Sequence, residues 1–126
     1  MMESTIQSWS DQYGVNADDI TTEYFDLGAH VLGLTTFKYD KTTVLPDGKY
    51  RRIALIQIHE LLKGESLAVK CVLWHEFCHA EKWLKDGTSD GHSSGWSDRC
   101  WRKPILFLLD CTYTNFVFWR AKAKKR

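Results

Sequence analysis

Proline is scarce, with two residues (Pro46 and Pro104) in 126, and the four cysteines are irregularly placed. Cys71, Cys78, Cys100 and Cys111 form no C-x-x-C pair and no zinc-finger spacing, which argues against a cysteine-built metal module. Apolar runs are short. None approaches the roughly eighteen residues of a membrane span, and the N-terminal MMESTIQSWSDQYG lacks a basic n-region followed by an apolar h-region. These lacks lead us to expect an intracellular protein, cytoplasmic or similar, with no membrane partner and with reduced, buried thiols. Charge of one sign is also missing locally. Residues 1–26 carry six acids (Glu3, Asp11, Asp18, Asp19, Glu23, Asp26) and no Lys or Arg. Residues 99–126 carry eight bases against the single acid Asp110, so a net charge of +1 hides two poles. A basic end of this kind can meet phosphate, and it can equally be a solubilising tail.

What is present describes one folded domain over residues 1–126, with a basic C-terminal tail at about 120–126. Hydrophobic content of 44% and six tryptophans supply a core and exclude a disordered chain. Residues 3–13 place Ile6, Trp9 and Tyr13 at helical spacing. From Glu23 to Tyr39 the chain turns β-branched and aromatic, with Val31, Gly33, Thr35, Phe37 and Tyr39 on one strand face. Pro46-Asp47-Gly48 is a turn signal, and Tyr50 to Ile58 resumes as a strand, so residues 30–59 read as a hairpin. A helix is expected from about Glu65 to Lys85, stopped by Gly87, with Leu67, Cys71, Trp74, Cys78 and Leu84 as its apolar stripe. Residues 94–109 read as a second helix kinked or restarted near Pro104, and Cys111 to Trp119 as a β-like or coil tail. The fold class is α+β, a small sheet with antiparallel pairing packed on the long helix and a following one.

That long helix carries the chemistry. His75-Glu76-Phe77-Cys78-His79 reads H-E-x-x-H, and residues four apart stack on one helix face, so two imidazoles can reach one metal ion. His92, thirteen residues after His79 and beyond a turn, is the candidate third ligand. Three histidines leave one open position on a tetrahedral Zn²⁺, and Glu76 stands off the line of the ligands where a carboxylate can act as general base. Asp86, Asp90 and Asp98 are acids that could substitute for His92, and Asp90 or Asp98 could accept a hydrogen bond from a ligand's second ring nitrogen. His30 and His59 are expected in strands as surface or rim residues, Trp96 and Trp101 as core over the helix, and Cys78 as a buried thiol toward the sheet.

HEFCHA at His75 to Ala80, Trp83-Leu84, and Gly91-His92 followed by Trp96 resemble the SprT-like zinc metallopeptidases over roughly residues 51–103. The resemblance implies a zincin-like protease core. It implies that His75, His79 and His92 bind one zinc, that Glu76 is the base, and kinship with Spartan-type proteases, which digest proteins crosslinked to DNA. The spacing from His79 to His92 is tighter than the family's, and Cys100 and Cys111 cannot build the zinc ribbon that many relatives carry. The expected function is a zinc endopeptidase acting on a protein or peptide, with residues 50–59 as an edge strand that aligns the substrate by β-addition. DNA, single strands favoured, is a second expected partner, met by Arg120, Lys122, Lys124, Lys125 and Arg126. Two alternatives stand beside this reading: a non-catalytic zinc-stabilised module that binds nucleic acid or protein, and a repressor-cleaving HExxH protease of a mobile element.

Overall fold

The computed structural model describes residues 2–89 and 91–125. Asp90 and Arg126 therefore lie outside the described residues, as do the side chains of Cys111 and Lys125. The elements run α1 (Met2–Tyr13), β1 (Ile20–Phe25), β2 (Gly33–Val44), β3 (Tyr50–His59), α2 (Ser66–Asp86), α3 (Ser94–Cys100), α4 (Pro104–Cys111) and α5 (Tyr113–Lys125). This is a mixed α+β fold with one three-stranded sheet. The expected hairpin forms: β2 and β3 pair antiparallel, Gly33 opposite Ile58 and Asp40 opposite Arg51, across the turn that begins at Pro46. β1 then adds to the other side of β3 in parallel, Ile20 opposite Ala54 and Phe25 opposite His59, giving the order β1-β3-β2. Residues 50–59 are thus the central strand and not an edge. β3 is the most apolar of the three, and burial on its helix-facing side (Ala54, Ile56, Ile58) favours the middle of the sheet. The free edges belong to β1 and β2.

The helix α2 lies across that buried face and is covered on nearly all sides, which explains why its apolar residues exceed a single stripe. Ala68, Val69, Cys71, Val72, Leu73, Trp74, Phe77 and Cys78 are all buried, whereas Leu67, expected in the stripe, is exposed. α1 packs its Trp9 edge-on to Trp74 at 5.1 Å between ring centres, with Phe77 at 5.6 Å. Gly87 ends α2 at φ 72°, its amide donating to the Trp83 carbonyl, as the left-handed C-terminal position requires. The helix expected over 94–109 restarts at Pro104: α3 and α4 are separated at residues 101–103, because Pro104 cannot donate into a preceding turn and instead opens α4 at its first position. Residues 113–125 are helical, against the expected β-like or coil tail. The aromatic and β-branched residues there favour a strand locally, but Thr114, Val117 and Phe118 fall at 3–4 spacing and all three are buried against the core, so packing overrides propensity. No described helix is long and apolar enough to cross a membrane.

Candidate metal centre

Two of the three histidines are set by the geometry of α2. His75 and His79, one helical turn apart, stand with ring centres 5.1 Å apart on the side of the helix that β2 and α3 leave open. The third comes from the loop that follows Gly87. Gly91 takes φ 72°, a left-handed turn that suits glycine, and His92 follows it with its ring 5.1 Å from His75 and 5.0 Å from His79. One nitrogen from each ring lies within 4.8 Å of the others, and His75 Nε2 is 3.1 Å from His92 Nε2. Two nitrogens bound to one Zn²⁺ at about 2.0–2.1 Å in a tetrahedron stand roughly 3.3 Å apart, so His75 and His92 already have that spacing and His79 would close on them by at most about 1.5 Å. Trp96, the first buried residue of α3, forms the wall behind the cluster. Its ring stacks on His79 at 5.2 Å and meets His92 at 4.5 Å, and its indole N–H donates to the His75 carbonyl at 3.2 Å.

Glu76 points the other way around the helix, toward the start of β2. It is buried, and the Thr35 hydroxyl donates to Oε1 at 2.8 Å. That bond occupies one carboxylate oxygen and leaves Oε2 3.8 Å from His75 Nε2, beside the position where the three rings converge. A cleft of about 240 Å³ opens there between Gly33, Leu34, Thr35 and Phe37 of β2 and the group His75, Glu76, His79, Gly91 and His92. A second hollow of about 300 Å³ reaches His75 and Glu76 from the side of Val31, Val72 and Thr114.

The charges in the cluster bias it toward a cation. Burial, reinforced by the neighbouring His75 and His92, pushes His79 down to about 3, so that ring is neutral at any ordinary pH. His92 is also lowered, chiefly by burial. Burial alone would lower His75, yet its hydrogen bond to Asp110 and the charges of Glu76 and Asp110 raise it. Burial raises Glu76 above the usual carboxylate range, partly offset by His75 and by Thr35.

Other expected residues sit differently. Asp98 is exposed, and Asp86 pairs with Arg99 at 3.2 Å, so neither serves the cluster. The carboxylate that meets a ring nitrogen is Asp110, whose Oδ2 accepts from His75 Nδ1 at 2.6 Å. Sequence reasoning missed it. Its signal was its place as the lone acid in a basic segment, and its separation of 35 positions from His75 hid the contact. Cys78 is buried as expected but turns toward the Cys100 thiol rather than the sheet, and burial drives its thiol far up. His59 is no rim residue: it is 2% exposed, its Nε2 lies 2.8 Å from the Gly28 carbonyl, and its Nδ1 accepts from the Leu61 amide. His30 sits in the exposed loop before β2. Trp101, expected in the core, is 51% exposed, because the chain breaks from α3 just there. Among the basic residues, Arg120 pairs with Glu65 at 3.4 Å and Lys122 donates to the Ala29 carbonyl at 3.1 Å, while Lys124 is exposed.

No family model matches the chain. No solved structure matches it either. A stretch of 48 residues is 42% identical to the germ cell nuclear acidic protein of Homo sapiens. The stretch covers 38% of this chain and 7% of that protein, so the likeness is of a segment.

Proposed function

We propose that the chain is a zinc-dependent endopeptidase of SprT-like type with a zincin-like core. The observation that carries the reading is the convergence of His75, His79 and His92 beside a buried carboxylate that is not itself needed as a ligand. His75, His79 and His92 would hold the ion, which when bound brings a water's pKa to roughly 7 and polarises a carbonyl oxygen. Glu76 takes the proton of the attacking water on Oε2 and returns it to the leaving amine. Thr35 keeps Oε1 engaged throughout, so the free oxygen stays aimed at the cleft. The substrate backbone adds to the free edge of β2, the strand that passes Glu76, and not to the central β3. A purely structural zinc site has no use for Glu76 and ordinarily fills its fourth position with a protein ligand. We further propose DNA as a partner of the basic end, so that the substrates include DNA-associated proteins.

Elemental analysis of purified protein, joined to a casein assay of the parent and of Glu76→Gln, tests the reading. The parent is expected to carry one zinc and to cleave. Glu76→Gln is expected to keep zinc and fold while turnover falls by on the order of 10²–10⁴, the usual worth of a general base. Equal turnover by the two proteins would remove Glu76 from its role. Zinc in both with turnover in neither would turn the reading to a non-catalytic zinc-stabilised module.

A further inference from the structure

Of the three candidate ligands, His75 has its outward nitrogen held by a second, distant element. Asp110 lies on the inner side of α4, and its side chain is 14% exposed. Its Oδ2 stands 2.6 Å from His75 Nδ1, while His75 Nε2 faces His92 Nε2 at 3.1 Å on the opposite side of the ring. An imidazole has one proton to place between two nitrogens. If Nε2 keeps it, the ring offers no lone pair to the cluster. A carboxylate at Nδ1 draws the proton to that side. α4 is itself fixed: Leu106 is buried, Phe107 packs edge-on to Trp96 at 5.7 Å, and the Thr114 hydroxyl donates to the Asp110 carbonyl.

We propose that Asp110 is a positioning residue for the metal, which holds His75 in the tautomer that turns its Nε2 lone pair into the cluster and strengthens that nitrogen as a donor. The inference rests on the metal reading above but not on the peptidase reading. A carboxylate behind a metal-bound histidine fixes ring orientation and raises ligand basicity, and its loss typically weakens metal binding about 10–100-fold. The bland alternative is an ion pair that only ties α4 to α2. That role would show as lost stability of the metal-free fold, with the affinity of the folded protein for metal unchanged.

Zinc affinity by competition with a chromophoric chelator, the visible absorption of the Co²⁺-loaded protein, and the melting temperature of the metal-free protein separate the two. Asp110→Asn is expected to weaken zinc about 10–100-fold and to alter the Co²⁺ bands, Asp110→Glu to recover part of the affinity, and the exposed Asp98→Asn to change neither. Zinc binding by Asp110→Asn within about twofold of the parent, or a loss confined to the metal-free melting temperature, would overturn the proposal. Should Asp110→Asn fail to fold, long-range ¹H–¹⁵N spectra of the zinc-loaded parent decide. They are expected to show His75 protonated at Nδ1 and bound through Nε2, and binding through Nδ1 would overturn the assignment. A parent that takes up zinc yet cleaves nothing removes the peptidase reading alone, whereas a parent that takes up no zinc removes both.

Discussion

A Cβ placed on Gly33 would sit 2.5 Å from Val72 Cγ1 and 3.0 Å from Glu76 Oε2. Glycine here is a matter of space rather than of backbone angle: β2 can pass Glu76 this closely only without a side chain. Gly33→Ala is therefore expected to push the carboxylate off its line while the sheet survives. Overpacking of this kind costs about 1–3 kcal/mol, read as a lowered urea midpoint, and turnover per bound zinc should fall with it. The protonation of the three rings yields a second expectation. Ligand nitrogens must be deprotonated to bind metal, but His79, held down to about 3, has no proton to lose near neutrality, and His92 is lowered in the same direction. His75 is raised, so on acidification it is the first of the three to take a proton, at a pH above the ordinary imidazole value of 6.5. Zinc affinity should begin to fall above pH 6.5. Titration calorimetry near pH 6.5 in buffers of different ionisation enthalpy should give no more than one proton released by the three rings per zinc, that of His75, rather than three. Asp110 stood out in the chain only as the lone acid of a basic segment, and its link to His75 arises only when α4 folds back on α2.

At the scale of elements, legibility followed the strength of local signals. The helix expected over 65–85 spans Ser66–Asp86, because apolar periodicity and the terminating Gly87 agree. The hairpin was legible from its turn. The order of strands was not: periodicity tells which residues share a face, and a third strand arriving from residues 20–25 to make β3 central is a long-range event. α5 was misread for the converse reason, its Phe, Val, Tyr, Thr and Trp residues having strand propensities that only buried contacts override. Residues 120–125 of the basic end are thus the last turns of a helix, and two of their bases already have partners within the chain. If it meets DNA, log affinity should fall with log salt at about 0.9 per single phosphate neutralised on duplex and about 0.7 on single strands. Truncation after Trp119 keeps the buried Val117 and Phe118 and should flatten that slope. A slope unchanged by the truncation would place the contact elsewhere.

Across the whole molecule, one buried acid fastens the helical layer. Glu81 is 1% exposed and meets Arg102 through both carboxylate oxygens, Lys85 at 3.0 Å and Arg99 at 3.7 Å. The Arg102 guanidinium lies 3.9 Å over the Tyr13 ring, so α1, α2 and the α3–α4 connection are joined at one point. Glu81→Ala should cost on the order of 3 kcal/mol in the metal-free protein, since removing one partner strands the others. A urea midpoint close to the parent's would show that solvent serves those cations as well. The order of the strands, finally, has a consequence in time. β2 and β3 pair residues as near as Val44 and Tyr50, whereas β1 must close a span of 34 residues to bring Ile20 opposite Ala54. Short loops close at lower entropic cost than long ones. Folding should therefore begin with the hairpin, and the acid-rich first 26 residues should dock late and detach early, leaving the strand that borders the histidine cleft in place before and after them.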